Sequence, residues 1–293
     1  MYMNIGKKIK KLRTSKLMTQ SELAGSEITR NMLSRIENDA ASPSLGTVRY
    51  LASRLNVSAG YLIADSEEEQ IYDKHNEITG IKNSYAAGDY KICRDMCLNS
   101  NCSNDDEIML ILSECVLRLA IDEFNEGNLH NACSYFDEAI ENCKSTVYYT
   151  DHIVSIAGVY FMYMNQLSAT LDSSAIDIES VNIHAAMTND FCRYTCLLSK
   201  KDFIMFTNDN EKSLPDNSPY AMHLLAKRKM EEGNFEEAYK ILHKILYGSA
   251  NVPQPVLYFI LGDLEVCCKE LNDYKNAYAY SNEKLGIIQK LLS

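Results

Sequence analysis

Ile5, Ile9 and Leu12 recur at helical spacing over residues 4–15, and Lys7, Lys8, Lys10, Lys11 and Arg13 occupy the remaining sides. The spacing predicts an amphipathic, basic first helix. Thr19 followed three residues later by Glu22 is a capping-box pattern, in which hydroxyl and carboxylate each satisfy an orphaned backbone amide, so a second helix starts there. Gly25 and Ser26 keep it short. Thr29 can cap a third helix with Leu33 and Ile36 inward and Arg30, Asn31, Ser34 and Arg35 on the opposite side. Asn38 and Asp39, both tolerant of the left-handed conformation, are suited to ending it. Pro43 and Ser44 precede a fourth helix that buries Val48, Leu51, Ala52 and Leu55, and Ser58 opens a fifth through Tyr61 and Leu62.

The acidic run Asp65 to Gln70 breaks this pattern, as a short linker or as the start of a connecting helix. Beyond it a turn repeats. Gly88-Asp89-Tyr90, Gly127-Asn128-Leu129, Gly233-Asn234-Phe235 and Asn272-Asp273-Tyr274 each join a small or polar pair to an apolar residue, with 39 residues between the first two copies and between the last two. Asn165-Gln166-Leu167 and Lys201-Asp202-Phe203 fall between them as degenerate copies. Such a period predicts stacked helical hairpins, none able to bury its apolar face alone. In the clearest unit, residues 123–140, Gly127 makes the turn, Ala132 and Ala139 let two helices approach, and Leu129 and Phe136 fill the space between hairpins. In the last helix, Leu285, Ile288 and Leu292 form one apolar stripe with Ile287 and Leu291 beside it, more than a terminal cap needs, which points to a subunit interface or to docking onto the preceding hairpin.

Charge sorts by position. Residues 1–64 hold ten Lys/Arg against four Asp/Glu, whereas residues 65–293 hold nineteen against thirty-six. A basic module can condense on phosphates while an acidic remainder is repelled from them. With 293 residues, 46% of them hydrophobic, two domains are expected: residues 1–64, then a connection over 65–71, then residues 72–293. No apolar run approaches the roughly 18 residues that span a bilayer, and the N-terminus lacks the apolar segment of a signal peptide, so a cytoplasmic protein is expected. Its ten cysteines read as reduced thiols.

Residues 4–63 resemble the helix-turn-helix domain of the lambda-repressor-like XRE family. The match runs through Ile9, Leu12, Arg13, Thr19-Gln20, Glu22-Leu23-Ala24, Ser34, Ile36-Glu37-Asn38, Pro43-Ser44, Leu51-Ala52 and Leu55. Two positions depart from the pattern: the turn between the second and third helices is one residue shorter than usual, and Asp39 stands where glycine is common. The resemblance implies that Thr29, Arg30, Asn31, Ser34 and Arg35 face base edges in the major groove, Arg suiting guanine and Asn adenine. It also implies that Gln20 and Asn38 hold phosphates. Arg13 is either a further phosphate contact or half of an internal ion pair with Glu37, and Ser34 has the plainer alternative of solvating its helix. One such module buries little surface, so a homodimer addressing half-sites about 34 Å apart is implied, held together by the C-terminal region.

Residues 72–292 resemble tetratricopeptide repeats, without the usual Trp and closing Pro. The resulting expectation is an all-α chain, a five-helix lambda-repressor-like domain followed by a tetratricopeptide-like superhelix. That pairing is similar to the peptide-responsive regulators of the Rgg, PlcR and PrgX type. The resemblance implies a DNA-binding transcription regulator with a short signalling peptide in the concave groove. Placing the first helix of each hairpin on the inner wall puts Tyr85, Asn125, His152, Tyr163, Thr195, Tyr220, His223 and Lys227 in that groove. The alternative is a DNA-localised scaffold whose array binds another protein.

Other chemistry finds little footing. Cys93 with Cys97, Cys192 with Cys196, and Cys267-Cys268 lack the two-residue gap of a zinc knuckle and an accompanying His, so small thiols packed between hairpins are expected, with a thiol redox sensor as a third reading. The six histidines show no nucleophile–base pattern, and no phosphate loop, paired-acid motif or nucleophile elbow appears. Neither enzyme activity, nor a metal, nor a cofactor is expected.

Overall fold

The computed structural model describes residues 4–64, 66–168, 171, 181–199, 214–215, 218–248 and 251–292. Every regular element among them is a helix, in keeping with the all-α expectation. The first five are α1 (Ile5–Ser15), α2 (Gln20–Ala24), α3 (Arg30–Glu37), α4 (Leu45–Leu55) and α5 (Ala59–Ile63). Each starts on a side-chain cap: Asn4, Thr19, Thr29, Ser44 and Ser58 accept from the amide three residues on, and Thr19 with Glu22 forms the full capping box. Ile9, Leu23, Leu33, Ile36, Leu51, Leu55 and Leu62 meet in the core. Gly6 lets α1 lie against the end of α3, because a Cβ there would stand 2.1 Å from the Ile36 carbonyl oxygen.

Two expectations about this domain are corrected. Lys8 is not on the exposed basic face. It is buried, and its ammonium donates to the carbonyls of Tyr61 (3.2 Å) and Ala64 (2.8 Å) at the C-terminal end of α5, where unpaired carbonyls favour a cation. At the end of α3 only Asp39 takes the left-handed conformation, at φ 59°, while Asn38 stays at φ −100°.

The chain divides into two compact units, Met1–Asn83 with Ser100–Cys102, and Ser84–Asn99 with Ser103–Ser293. The boundary falls inside α6 (Ser66–Ala87), so the acidic run is not an extended linker; its residues from Ser66 onward are helical. The first half of α6 belongs with the N-terminal unit, where Tyr72 packs edge-on against Tyr61 with ring centroids 6.3 Å apart.

The second unit holds α7 (Tyr90–Asn99), α8 (Asp106–Glu126), α9 (Leu129–Cys143), α10 (Asp151–Met164), α11 (Ile183–Ala186), α12 (Asp190–Ser199), α13 (Pro219–Glu231), α14 (Phe235–Leu246), α15 (Gln254–Glu270) and α16 (Tyr274–Leu291). The repeated sequence turn is one backbone structure used four times. Gly88, Gly127, Gly233 and Asn272 all have φ between 59° and 89°, and each N–H bonds three residues back while the next N–H bonds five back. This is the Schellman geometry, which satisfies the last carbonyls of one helix as the next begins. The degenerate copy at Asn165 does not form it: Asn165 is right-handed at φ −59° and donates to Phe161, four residues back. Lys201-Asp202-Phe203 lies outside the described residues. As expected of the 123–140 unit, Leu129, Ala132, Phe136 and Ala139 are buried.

The four turns differ in what surrounds them. A Cβ on Gly233 would meet open space, whereas one on Gly127 would stand 2.8 Å from Leu291 Cδ2 and 3.1 Å from Gln254 Cβ. Because Asn272 already supports this conformation, Gly233→Asn is expected to be close to neutral in thermal unfolding. Gly127→Asn is expected to lower stability by about 1–3 kcal/mol through overpacking. Equal effects of the two would refute this account.

Cys93, Cys97 and Cys115 are buried together between α7 and α8, and burial followed by the neighbouring Cys93 sulfur pushes the Cys97 thiol up to about 12. A thiol held there stays protonated and unreactive at neutral pH, which disfavours Cys97 as a redox sensor. In α16, Leu285 of the expected stripe is exposed and Ile288 half-buried, with Leu292 exposed just past the helix end, while Leu291 beside the stripe docks inward.

Candidate nucleic-acid interface and groove

The outer face of α3 follows from its cap and its core. Thr29 starts the helix, and Leu33 and Ile36 fix its rotation by burying themselves. At about 100° per residue, Arg30, Asn31, Ser34, Arg35 and Asn38 then share one side. Arg30, Asn31, Arg35 and Asn38 are exposed and Ser34 is half-buried. One Arg35 nitrogen donates to the Ala40 carbonyl at 3.3 Å, and the Asn38 amide donates to Ser34 O at 2.9 Å. Each side chain keeps further donors for an outside partner. Thr29 is exposed, its hydroxyl oxygen engaged in accepting from the Met32 amide at 3.1 Å.

Beneath this face is an ionic core that removes Arg13 from the set of phosphate contacts. Arg13 Nε donates to Glu37 Oε1 at 2.6 Å, Nη2 to Glu37 Oε2 at 3.1 Å, and Nη1 to the Met18 carbonyl at 2.7 Å. All three guanidinium nitrogens point inward, so the ion-pair alternative is the one the side chain adopts. Gln20 Nε2 also donates to Glu37, at 2.8 Å, leaving one amide hydrogen for a phosphate. Burial opposes the charge on Glu37, but the bonds from Arg13 and Gln20 and the charges of Arg13 and Lys10 outweigh it and hold the carboxyl below its ordinary value.

The eight groove candidates separate into two groups. Tyr85, Asn125 and His152 gather around one side of α8, which carries Glu114, Arg118, Asp122 and Asn125 at helical spacing. His152 Nε2 lies 2.6 Å from Glu114 Oε1, Tyr85 pairs with Arg118, and Asn125 lines a 290 Å³ cleft with Lys91, Asp122 and Glu126. Burial, then Glu126, raises the Asp122 carboxyl above its ordinary value.

Tyr163, Thr195 and His223 are corrected from groove lining to interior, being no more than 5% exposed. Thr195 spends its hydroxyl on Phe191 O at 2.9 Å. Tyr163 sits among Phe124, Phe191, Tyr194 and Phe259, ring against ring. Tyr220 stacks half-buried on Tyr194 with centroids 5.0 Å apart. Two of the candidates, His223 and Lys227, belong to a polar chain that spacing alone did not announce. Tyr194 Oη lies 2.7 Å from His223 Nδ1, His223 Nε2 lies 2.8 Å from Asp263 Oδ2, and Lys227 reaches Asp263 Oδ1 at 3.2 Å. An ionised Asp263 only accepts, so Nε2 donates to it, and in the neutral ring Nδ1 accepts from the tyrosine hydroxyl. A tyrosine, a histidine and an aspartate in line resemble a nucleophile–base relay, but Tyr194 is fully buried among rings, where the chain ties α12, α13 and α15 together.

The N-terminal segment that carries α3 matches a known family. Residues 9–62 match the family model described as helix-turn-helix, so this segment is a helix-turn-helix DNA-binding domain of the XRE type. Among solved structures, the chain is similar to PlcR of Bacillus thuringiensis in complex with the peptide PapR7 and DNA, at 12% identity over 98% of this chain and 96% of that one, with a TM-score of 0.22. It is also similar to the apo form of ComR from S. thermophilus, at 18% identity over 96% of this chain and 98% of that one, with a TM-score of 0.20. No curated protein matches the chain.

Proposed function

We propose that this chain is a sequence-specific transcriptional regulator that binds DNA as a homodimer and whose hairpin array, a tetratricopeptide-like domain, takes a short peptide that changes DNA binding. The observation that carries the DNA reading is the exposed row Arg30, Asn31, Arg35 and Asn38 on a helix whose opposite face is locked into the core. Arg30, Asn31, Ser34 and Arg35, with Thr29 at the entry, read bases; Gln20 and Asn38 hold phosphates. The peptide reading is supported by the polar side of α8 and its neighbours Tyr85 and His152, which offer charges and hydrogen-bond partners to a peptide's backbone and termini. Exposed Tyr274, Tyr278, Leu285 and Leu292, nearly in line along α16, support a second copy as partner.

Arg30→Ala is expected to keep the domain folded and to lose about 1–3 kcal/mol of base discrimination at one position, seen by selecting sites from a randomised duplex pool. An unchanged selected site would refute the assignment of α3. Affinity should fall with salt by about 0.9 log units per log unit for each phosphate contact. The scaffold reading is favoured by exposed Val147 and Tyr149 between α9 and α10, which suit a folded partner. Titration calorimetry with short synthetic peptides separates the two: heat from a peptide supports the sensor, and a co-purifying folded partner with no peptide heat supports the scaffold.

A further inference from the structure

The turn between α2 and α3 is short, and α4 holds it from outside. A helix of five residues has more unpaired carbonyls than intrahelical bonds, and here Gly25 N–H reaches only Ser21 O, at 3.1 Å. Two of the remaining carbonyls are met from α4. Tyr50 Oη donates to Ala24 O at 3.0 Å, and Arg54 Nη2 donates to Glu22 O at 2.5 Å. Tyr50 and Arg54 are four residues apart, on one face of α4, so they grip two successive points of α2. A cation at the C-terminal end of α2 also meets the negative end of its dipole.

Gly25 completes the fit. Its φ of 57° and ψ of −137° are open essentially to glycine alone, and a Cβ there would stand 2.2 Å from Tyr50 Oη. The tyrosine hydroxyl therefore occupies the space beside the turn that any other residue would need. Phosphate contacts tolerate small rotations of a helix, but paired hydrogen bonds to a base edge do not.

We infer that Tyr50 and Arg54 are positioning residues for DNA recognition: by fixing the end of α2 they set the angle at which α3 presents Arg30 and Asn31 to bases. This rests on the reading of α3 as the base-contacting helix. The function of the clamp is discrimination more than folding, since both side chains lie at the edge of the core, Arg54 exposed and Tyr50 half-buried.

The test uses the full chain and two probes, the duplex selected by wild type from a randomised pool and a mixed-sequence duplex. Tyr50→Phe and Arg54→Met are expected to keep a thermal midpoint close to wild type and to bind mixed-sequence DNA as wild type does. Their preference for the selected duplex should fall about tenfold, as loss of roughly one charged or well-placed hydrogen bond implies. Arg54→Lys, which keeps a donor and the charge, should recover most of that preference. An undiminished preference overturns the inference. A loss in proportion to lost folded protein overturns it as well, and so does an equal loss on both duplexes from Arg54→Met, which would make Arg54 a phosphate contact. Arg30→Ala separates the two levels: if it leaves preference unchanged, the reading of α3 fails; if it lowers preference while the α4 variants do not, only the clamp fails.

Discussion

Glu37→Ala is expected to unfold the N-terminal domain at ordinary temperatures. Glu37 is 3% exposed and accepts from Arg13 twice and from Gln20 once. Removing it strands the guanidinium, only 12% of whose side chain is exposed, beneath α3. Breaking a buried pair from one side costs about 3–5 kcal/mol, which for a domain this small is most of its stability. Thermal unfolding followed by circular dichroism of the isolated transition measures it; Arg13→Met combined with Glu37→Leu should recover much of the loss, because apolar residues of similar size leave no orphan charge. A single Glu37→Ala variant as stable as wild type would refute the account. The same geometry sets a pH dependence. Since the folded carboxyl sits below its ordinary value of 4.5, its contribution is present above that value and is lost as pH falls through the folded one.

The second large effect is expected in the array. His223→Ala should destabilise the second unit by about 2–4 kcal/mol, because it opens a cavity, leaves the buried Tyr194 hydroxyl without its acceptor and removes one of two partners of Asp263. Urea unfolding monitored by tyrosine absorbance reads this directly, since the chain has 19 Tyr and no Trp. A cost below that of an ordinary surface substitution would show that the relay is not structural. Burial opposes the charge on Asp263, but His223 and Lys227 outweigh it and hold its carboxyl below the ordinary 3.8. Its contribution is thus present above that value and fades as pH drops through the folded one, so wild type should lose more stability than Asp263→Asn across acid pH.

Much of the N-terminal domain was legible because its signals are local. Caps at Thr19, Thr29, Ser44 and Ser58 sit beside the helices they start, and the buried set Leu33, Ile36, Leu51 and Leu55 is a matter of spacing. The outer face of α3 follows from the same spacing, since fixing one side of a helix fixes the other. The repeated turn was equally local, because a left-handed position selects Gly or Asn wherever it occurs.

Groove and clamp depend on partners far along the chain. Which helix surface of a hairpin array faces inward depends on how successive hairpins rotate, so Tyr163, Thr195 and His223 could be spaced correctly and still be buried. Lys8 looked like one more surface lysine until α5 brought two carbonyls to it from more than fifty residues away. Asp263 lies 40 residues from His223, and Tyr50 lies 25 from Gly25. The sequence by itself determined the helices, their caps, the repeated turns and the donors carried by α3. Only the tertiary structure decided which polar side chains are spent on one another and which remain for DNA or a ligand, because hydrogen bonds and ion pairs act over a few ångströms of space whatever the distance along the chain.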